Sequence, residues 1–256
     1  TYRFITGGNV LYIRKAAEET YEVSCDQDTW ERIWSPYFDL ARNYQDIRKA
    51  VPAEDPFLAL AAQTGAGIRI LRQDPWEMVV TFILSAANHI HRIKGIIERL
   101  CAAYGSPISY RRETYYSFPR AETLAALTPQ ELSCIRAGFR TDYLLDAARR
   151  VADGRLDLSL LAQLPYPEAK RLLMEIKGVG VKVADCILLF GLGHLDAFPR
   201  DVWINRILQR EFPEGFPLSR YDGFAGLLQQ MLFFYERRQC GLVPDGEGKT
   251  PGTAEG

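Results

Sequence analysis

The stretch MEIKGVGVKVADCILLF, residues 174–190, limits the possible folds of this chain more than any other segment. Gly178 and Gly180 separate two apolar segments that each look like a buried helix. Glycine permits a sharp turn with positive φ, and its missing side chain leaves backbone N–H groups open to an anion. The pattern predicts a helix–hairpin–helix, a motif that binds a phosphate backbone. A plain corner between two helices is the alternative.

Lys182 has an unusual place, in the first turn of the second predicted helix. The helix dipole disfavours an ammonium group there, and the apolar neighbours add a desolvation cost. Both effects lower the pKa of a lysine and raise the fraction of neutral amine near pH 7. A neutral amine can form a Schiff base, so Lys182 is predicted to be a nucleophile. Cys186 lies at i+4 on the same face, either as a small core residue or as a wall of the substrate site.

Asp201 follows Phe198-Pro199 at the start of another apolar helix. The simplest interpretation of an aspartate at this position is a helix cap. The nineteen positions from Lys182 to Asp201 leave room for the first helix to end and the chain to return. A lysine nucleophile with a nearby carboxylate suits attack at the anomeric carbon of a sugar, because the carboxylate offsets oxocarbenium charge and handles protons.

Composition excludes several kinds of site. The chain has 256 residues and a formal net charge of −1, so nucleic-acid binding needs a local basic face. We expect that face to include Arg92, Lys94, Arg140, Lys177 and Arg206. The five scattered cysteines form no CxxC pair, which argues against a disulfide scaffold, a zinc ribbon or an iron–sulfur cluster and suggests a reducing compartment. No apolar run reaches the roughly 18 residues of a membrane helix.

Local patterns predict an α+β fold that is mostly α. Residues 1–26 alternate in polarity and are broken by Gly7-Gly8, which indicates antiparallel strands with a tight turn. Asp74-Pro75 fits a capped helix start, and a break is expected between Ser85 and Asn88. The predicted domains are an N-terminal sheet with helices, a helical domain and a flexible tail, over residues 1–72, 73–240 and 241–256.

GVGVKVADC followed by FPRDVW resembles the lysine-type DNA glycosylases of the helix–hairpin–helix superfamily. The strings ANHIHRIKGIIERLC, AGFRTDYLLDAARRV and FAGLLQQMLFFY make it similar to the 8-oxoguanine DNA glycosylase/AP lyases within that superfamily. The resemblance covers most of the chain, to about Arg238. It implies two helical subdomains that flank a cleft, with an N-terminal antiparallel β-sheet, and the DVW string looks more bacterial.

The resemblance implies a base-excision repair enzyme. It would flip 8-oxoguanine opposite cytosine out of double-stranded DNA, excise it through a Schiff base at Lys182, and cleave the strand by β-elimination. Asp201 would stabilise the transition state. No organic cofactor and no iron–sulfur cluster are implied. We expect a monomer without membrane contact, cytoplasmic with the bacterial nucleoid, or nuclear if the source is eukaryotic.

The resemblance also assigns the base-binding residues. Gln229 matches the glutamine that hydrogen-bonds the Watson–Crick edge of the flipped base, and Phe233 the aromatic that stacks on it. Cys186 would cover the other face of the base, and Pro199 would contact the substrate. A half-buried core face is the alternative for the i,i+4 pair Gln229 and Phe233.

Further residues match DNA contacts of the family. Asn88 and Arg92 lie in the segment that contacts the orphan cytosine, and Phe139 and Arg140 match an aromatic wedge and an arginine aimed at the same base. A surface arginine is the alternative for Arg92 and Arg140. The other expected DNA contacts are His89, Lys177, Gly178, Gly180 and Val181. The backbone carbonyls of Met174, Ile176 and Val179 are expected to hold a structural cation.

The chain departs from the family pattern at three places. The asparagine that fills the gap left by the flipped base falls at Ala87, so Asn88 or His89 would have to replace it. Trp203 stands where animal enzymes carry a phosphate-contacting histidine. The family's Gly-Gln-x-Phe-Arg-Trp segment, whose glycine carbonyl separates 8-oxoguanine from guanine, is not found before Thr1. A truncated N-terminus is the simpler explanation; true loss would weaken lesion selectivity.

Two other functions stay open at this point. One is a related glycosylase for another oxidised base, such as an oxidised pyrimidine. The other is a non-catalytic DNA-binding module that kept the hairpin, against which the presence of both Lys182 and Asp201 argues. The iron–sulfur relatives need four clustered cysteines that this chain lacks, and the alkyladenine-type glycosylases lack the lysine.

Overall fold

The computed structural model describes residues 1–18, 20–51 and 55–242. A three-stranded antiparallel sheet opens the chain, in the order β1 (Tyr2–Thr6), β2 (Asn9–Ala17), β3 (Thr20–Val23). Gly7 and Gly8 have φ values of 51° and 78° and close the turn between β1 and β2. The predicted N-terminal strands and their tight turn are confirmed.

Helices make up most of the remaining chain. A short helical segment consists of α1 (Gln27–Thr29), a π-helical turn (Trp30–Trp34) and α2 (Ser35–Tyr37). The next helices are α3 (Tyr44–Lys49), α4 (Pro56–Thr64), α5 (Pro75–Ser85), α6 (Ile90–Tyr104), α7 (Ala121–Ala125) and α8 (Arg140–Ala152). The last are α9 (Leu158–Leu161), α10 (Tyr166–Leu173), α11 (Val181–Phe190), α12 (Val202–Glu211) and α13 (Ala225–Gln239). Two 3₁₀ turns cover Glu131–Ile135 and Leu218–Tyr221.

The start and end of α5 follow the local sequence signals. The carboxylate of Asp74 accepts a hydrogen bond from the Glu77 N–H at 2.9 Å, and Pro75 occupies the first helical position. This arrangement satisfies one orphan donor and places proline where its missing N–H costs nothing. The helix ends at Ser85 and α6 begins at Ile90, so the predicted break is confirmed.

Two buried clusters form the cores of two helical subdomains, and α5 contributes to both. Val79 and Ile83 belong to the cluster that includes α4 and α10–α13. Val80 and Leu84 belong to the cluster formed with α6, α7 and α8. Successive helical residues point to different faces, so this apolar helix can be buried on two sides. The predicted fold class, mostly α with an N-terminal antiparallel sheet, is confirmed.

A second hairpin joins the first sheet to the helical part. It consists of β4 (Pro107–Tyr110) and β5 (Glu113–Tyr116). The hydroxyl of Tyr110 donates to the carbonyl oxygen of Ser24 at 2.8 Å, and the hydroxyls of Tyr12 and Tyr115 bond to each other. These contacts join residues on the two sides of the domain boundary that is expected between residues 72 and 73. The boundary itself stays a prediction. Of the expected tail at 241–256, residues 243–256 lie outside the described residues.

Among the described helices, none combines the length and apolar character needed to cross a bilayer.

Candidate active site

The hairpin between α10 and α11 needs only one of its two glycines for backbone geometry. Gly178 has φ +82°, and a Cβ atom there would overlap the ring of Tyr143. Gly180 has φ −93° and ψ −178°, an extended conformation that any residue adopts. The expectation that both glycines take positive φ is therefore wrong for Gly180. Within the described part of the chain, nothing lies within 4 Å of a Cβ built at Gly180, so this glycine faces open space.

The N-terminus of α11 is left open. Gly180 is its N-cap residue, no side chain of the described residues caps it, and its first turn holds no acid. The Ala184 N–H donates to the Gly180 carbonyl at 2.9 Å, so the preceding N–H groups lie ahead of the helical hydrogen bonds. Val181 is exposed beside them. An anion can approach this turn from solvent without displacing a protein partner.

The turn is held in place by α8. The backbone N–H of Lys177 donates to the Asp146 carboxylate at 2.8 Å. The Lys177 ammonium lies 4.0 Å from the Asp142 carboxylate, and both side chains are exposed. An exposed pair of this kind contributes little stability, so the lysine is easily redirected to another anion.

The thiol of Cys186 lies close to two charged side chains, those of Lys182 and Asp201. Lys182 lies in the first turn of α11, half-buried, with its Nζ 5.7 Å from the centre of the Phe82 ring. Burial raises the pKa of the Cys186 thiol to about 11; Lys182 opposes this rise and the Asp201 carboxylate adds to it. Both charged groups therefore lie within electrostatic reach of Cys186. The thiol stays protonated near neutral pH and is not itself a nucleophile.

Asp201 is the N-cap residue of α12. Its Oδ1 accepts a hydrogen bond from the Ile204 N–H at 2.8 Å, and the residue is half-buried. The helix-cap interpretation is confirmed, and it does not oppose a catalytic role, because the other oxygen keeps its lone pairs. Pro199 is buried just before it, so its predicted substrate contact stays a prediction.

The N-terminus of α13 is anchored against the segment that leads to Asp201. The Gly226 N–H donates to the Leu195 carbonyl at 2.7 Å, and a Cβ at Gly226 would overlap the Ala197 carbonyl. One turn into this helix, Gln229 is buried at 3% exposure and its Oε1 accepts from the Gln230 amide at 2.7 Å. Phe233 is half-buried.

The polar side chains of the loop between α5 and α6 form hydrogen bonds with the backbone of the loop and of the adjoining helices. The Asn88 amide donates to the Leu84 carbonyl at 2.9 Å and accepts from the His89 N–H at 3.0 Å. His89 caps α6 by accepting the Arg92 N–H at 3.3 Å. Ala87 is exposed, with φ +47°. The amide of Asn88 is thus engaged, and filling a gap in DNA with it would require breaking both bonds.

Arg140 organises this loop through its hydrogen bonds to backbone carbonyls. The sequence predicted a DNA contact for this arginine and not its contact with the loop. Arg140 is 2% exposed, so the surface alternative is wrong for this arginine. Its guanidinium donates to the carbonyls of Ala86, Ala87 and Ala137. Burial, with Arg92 nearby, lowers its pKa. Contact with an orphan base stays a prediction, and in this arrangement most of its N–H groups are already used.

Phe139 has the exposure that a DNA wedge needs. It is 59% exposed, next to Arg140, whose guanidinium carbon lies 4.3 Å from the ring centre. Tyr143 packs edge-on against it at 5.8 Å. An exposed aromatic supported on one side is available for insertion between bases.

The three carbonyls expected to hold a cation lie in the hairpin turn. The Ile176 carbonyl accepts the Val179 N–H at 3.0 Å. The turn and loop bonds of the described residues give no amide donor to the carbonyls of Met174 and Val179. Free carbonyl oxygens fit a hard cation, and the cation stays a prediction.

A buried polar cluster ties α10 to α11 beneath the hairpin. Asp185 is 3% exposed; its carboxylate accepts from the Lys170 ammonium and the Tyr166 hydroxyl, both at 2.8 Å. Desolvation raises the pKa of Asp185 while these two partners lower it. Asp185 is the one charged residue in the apolar run after Lys182; the sequence analysis did not predict this cluster, and that isolation is the signal that could have indicated it.

A cavity of about 810 Å³ lies beside the N-terminal sheet, where Phe4, Trp30 and Phe38 line it. None of the predicted site residues lines it, so cavity size does not locate the site.

Two family models match successive parts of the chain. The N-terminal domain of 8-oxoguanine DNA glycosylase matches residues 1–79, and the HhH-GPD superfamily of base excision DNA repair proteins matches residues 80–214.

Individual relatives carry corresponding descriptions. An N-glycosylase/DNA lyase of Saccharomyces cerevisiae is 34% identical over 175 residues, which are 63% of this chain and 46% of that protein. The chain thus spans about half the length of this relative. The structure of MBOgg1 with a low affinity DNA ligand has 37% identity and a TM-score of 0.86, with 93% and 86% of the two chains covered. An 8-oxoguanine glycosylase/lyase of Clostridium acetobutylicum, in complex with dsDNA containing cytosine opposite 8-oxoguanine, has 34% identity and a TM-score of 0.84, with 93% and 85% covered.

Proposed function

Because this chain belongs to the HhH-GPD superfamily of base excision DNA repair proteins, in its 8-oxoguanine DNA glycosylase branch, we propose that it is a bifunctional DNA N-glycosylase and AP lyase. It excises 8-oxoguanine opposite cytosine from double-stranded DNA. The resemblance drawn from the sequence is confirmed by both family models. The observation that carries the proposal is the placement of Lys182 and Asp201 near Cys186, at a helix N-terminus that no side chain of the described residues caps.

The chemistry follows from a lysine beside a carboxylate. The Lys182 amine attacks C1′ of the extruded nucleotide, the N-glycosidic bond breaks, and the base leaves with a proton. The Asp201 carboxylate offsets the positive charge that develops on the sugar. Ring opening gives an iminium between Nζ and C1′. Loss of a C2′ proton then expels the 3′-phosphate, which is β-elimination, and water releases the lysine.

The hairpin between α10 and α11 provides the contacts with the DNA backbone. The free N–H groups at the start of α11 and its dipole favour a phosphate oxygen, and Gly180 leaves room for it. Lys177 adds a positive charge beside the turn. Since such contacts dominate affinity, binding falls steeply with salt. A cation on the carbonyls of Met174, Ile176 and Val179 would neutralise the turn where the backbone phosphate approaches.

The base site is built on α13 and α11. Gln229 offers an amide to the edge of the base, and Phe233, one turn later, offers a ring to its face. Cys186, protonated and buried, presents an uncharged wall. The enzyme acts as a monomer. Its location is that of the cellular DNA, which is the cytoplasm in a bacterium and the nucleus in a eukaryote.

Borohydride trapping tests the proposal directly. The protein is incubated with an 8-oxoguanine·cytosine duplex and reductant, and we expect a covalent protein–DNA adduct. Lys182→Gln should abolish the adduct while duplex binding persists. No adduct from the wild-type chain would favour a DNA-binding module without catalysis. An adduct with an oxidised pyrimidine but not with 8-oxoguanine would reassign the lesion.

A further inference from the structure

Arg237 lies one helical turn beyond Phe233 on α13. Its guanidinium carbon lies 5.4 Å from the centre of the Phe233 ring. Gln229, Phe233 and Arg237 thus follow at i, i+4 and i+8 along one face of the helix. Arg237 therefore lies on the same helix face as the two residues assigned to the base, one turn after the second of them.

One N–H group of the guanidinium lacks a hydrogen-bond partner in the part of the chain that the structure describes. Its Nε is buried and lacks a hydrogen-bond acceptor among the described residues. The carboxylate next to it in sequence, Glu236, is taken by Arg210, which donates to both of its oxygens at 3.0 and 2.8 Å. A buried N–H without an acceptor is unfavourable. The π face of Phe233 is the contact that offsets this cost and fixes the position of the guanidinium.

A cation over one face of an aromatic ring lowers the electron density on the opposite face. It draws electron density toward itself, so the opposite face becomes a better stacking partner for an electron-rich ring. Purines with an added oxygen are electron-rich. We propose that Arg237 is a positioning residue that holds and polarises Phe233, and that it thereby strengthens stacking on an oxidised purine. This inference rests on the proposed function, since it requires Phe233 to meet the extruded base.

A phosphate contact is the competing role for an arginine in this enzyme. Such a contact uses N–H groups that solvent and DNA can reach, and one of the N–H groups of Arg237, the Nε, is buried. Arg206 illustrates the difference, because it is exposed on α12 and lies 5.5 Å from the Trp203 ring. Loss of a phosphate contact weakens binding to every duplex and lowers the salt dependence of binding. Loss of ring polarisation affects only duplexes that carry the base.

The test compares two substrates in three variants. Arg237→Met keeps the length and removes the charge, Arg237→Lys keeps a cation, and Arg149→Met removes an exposed arginine at the end of α8 as the matched control. Single-turnover base excision is measured on an 8-oxoguanine·cytosine duplex, and strand cleavage on a preformed abasic site. We expect Arg237→Met to slow excision about three- to tenfold, with abasic cleavage within about twofold of wild type. Arg237→Lys should recover most of the loss.

Equal losses on both substrates, or an Arg237→Lys variant no better than Arg237→Met, would overturn the role of Arg237. Arg237→Gln serves as the neutral variant if Arg237→Met unfolds. Wild-type excision is measured in the same assay, and its absence contradicts the proposed function. Normal wild-type excision with equal losses in the variants contradicts the role of Arg237 alone.

Discussion

The buried guanidinium of Arg140 donates to the carbonyl oxygen of Ala87 at 2.8 Å. Ala87 has φ +47°, a conformation that alanine rarely adopts. The arginine therefore holds the loop between α5 and α6 in a strained shape at Ala87, where the sequence resemblance predicts a gap-filling asparagine. A charged hydrogen bond is strong enough to offset strain of this size.

Asparagine at this position should improve both stability and selectivity. Asparagine tolerates the left-handed region better than alanine, so we expect Ala87→Asn to raise the free energy of unfolding by about 0.5–1 kcal/mol. Its amide can enter the gap left by the base, so excision opposite cytosine relative to adenine should rise about two- to tenfold. Urea unfolding and excision opposite each of the four bases measure the two effects. An unchanged base preference would contradict the gap-filling assignment.

The two functions of Asp201 can be separated by substitution. Asparagine also caps helices, so Asp201→Asn should change the free energy of unfolding by less than about 0.5 kcal/mol. It removes the carboxylate charge, so base excision should slow by about 100-fold or more. Asp201→Ala serves as the control, because it loses the cap as well and should cost about 1 kcal/mol. Full activity in Asp201→Asn would leave this residue a cap only.

The two hairpin glycines should respond in opposite ways to alanine. Gly178→Ala forces a side chain into the Tyr143 ring at positive φ, so we expect a loss of about 1–3 kcal/mol of stability. Gly180→Ala should keep its stability, because its backbone is extended and its surroundings are open. The new methyl group would occupy the space for a phosphate, so DNA affinity should fall about tenfold.

Thermal unfolding and fluorescence anisotropy with a labelled duplex measure the two quantities. Unchanged DNA affinity in Gly180→Ala would contradict the placement of the phosphate at this turn.

Glu77 should make stability depend on pH near neutrality. Burial, with Asp74 nearby, raises its pKa to about 7, from an ordinary value of 4.5. Between these two pH values the folded protein holds a proton that the unfolded chain releases. Stability therefore falls as pH rises from 4.5 to 7 and levels off above 7. Glu77→Gln should remove this penalty and stabilise the protein at pH 8 by on the order of 1–3 kcal/mol.

Urea unfolding at pH 5 and pH 8 provides the comparison. Glu98→Gln is the matched control, since Glu98 is exposed on α6. A gain for Glu77→Gln that is equal at both pH values would show that the penalty is not ionisation.

Local patterns of the sequence were sufficient for the elements that carry the site. The Gly7-Gly8 turn, the Asp74-Pro75 start of α5 and the hairpin before α11 were all predicted. Each depends on residues that are close in sequence, whose backbone preferences and spacing act within one or two turns. The placement of Lys182 in the first turn of α11 follows from the same local information.

The tertiary structure decided what the polar side chains do. Arg140 meets Ala86 across 54 positions, and Tyr166 meets Asp185 across 19. Glu236, next to Arg237 in sequence, pairs with Arg210, 26 positions away, and the Nε of Arg237 has no acceptor among the described residues. Burial and pairing depend on which surfaces pack together, so no local pattern reports them. The sequence alone determined the helices and the reactive groups, and only the packing of distant helices determined which of those groups remain available to DNA.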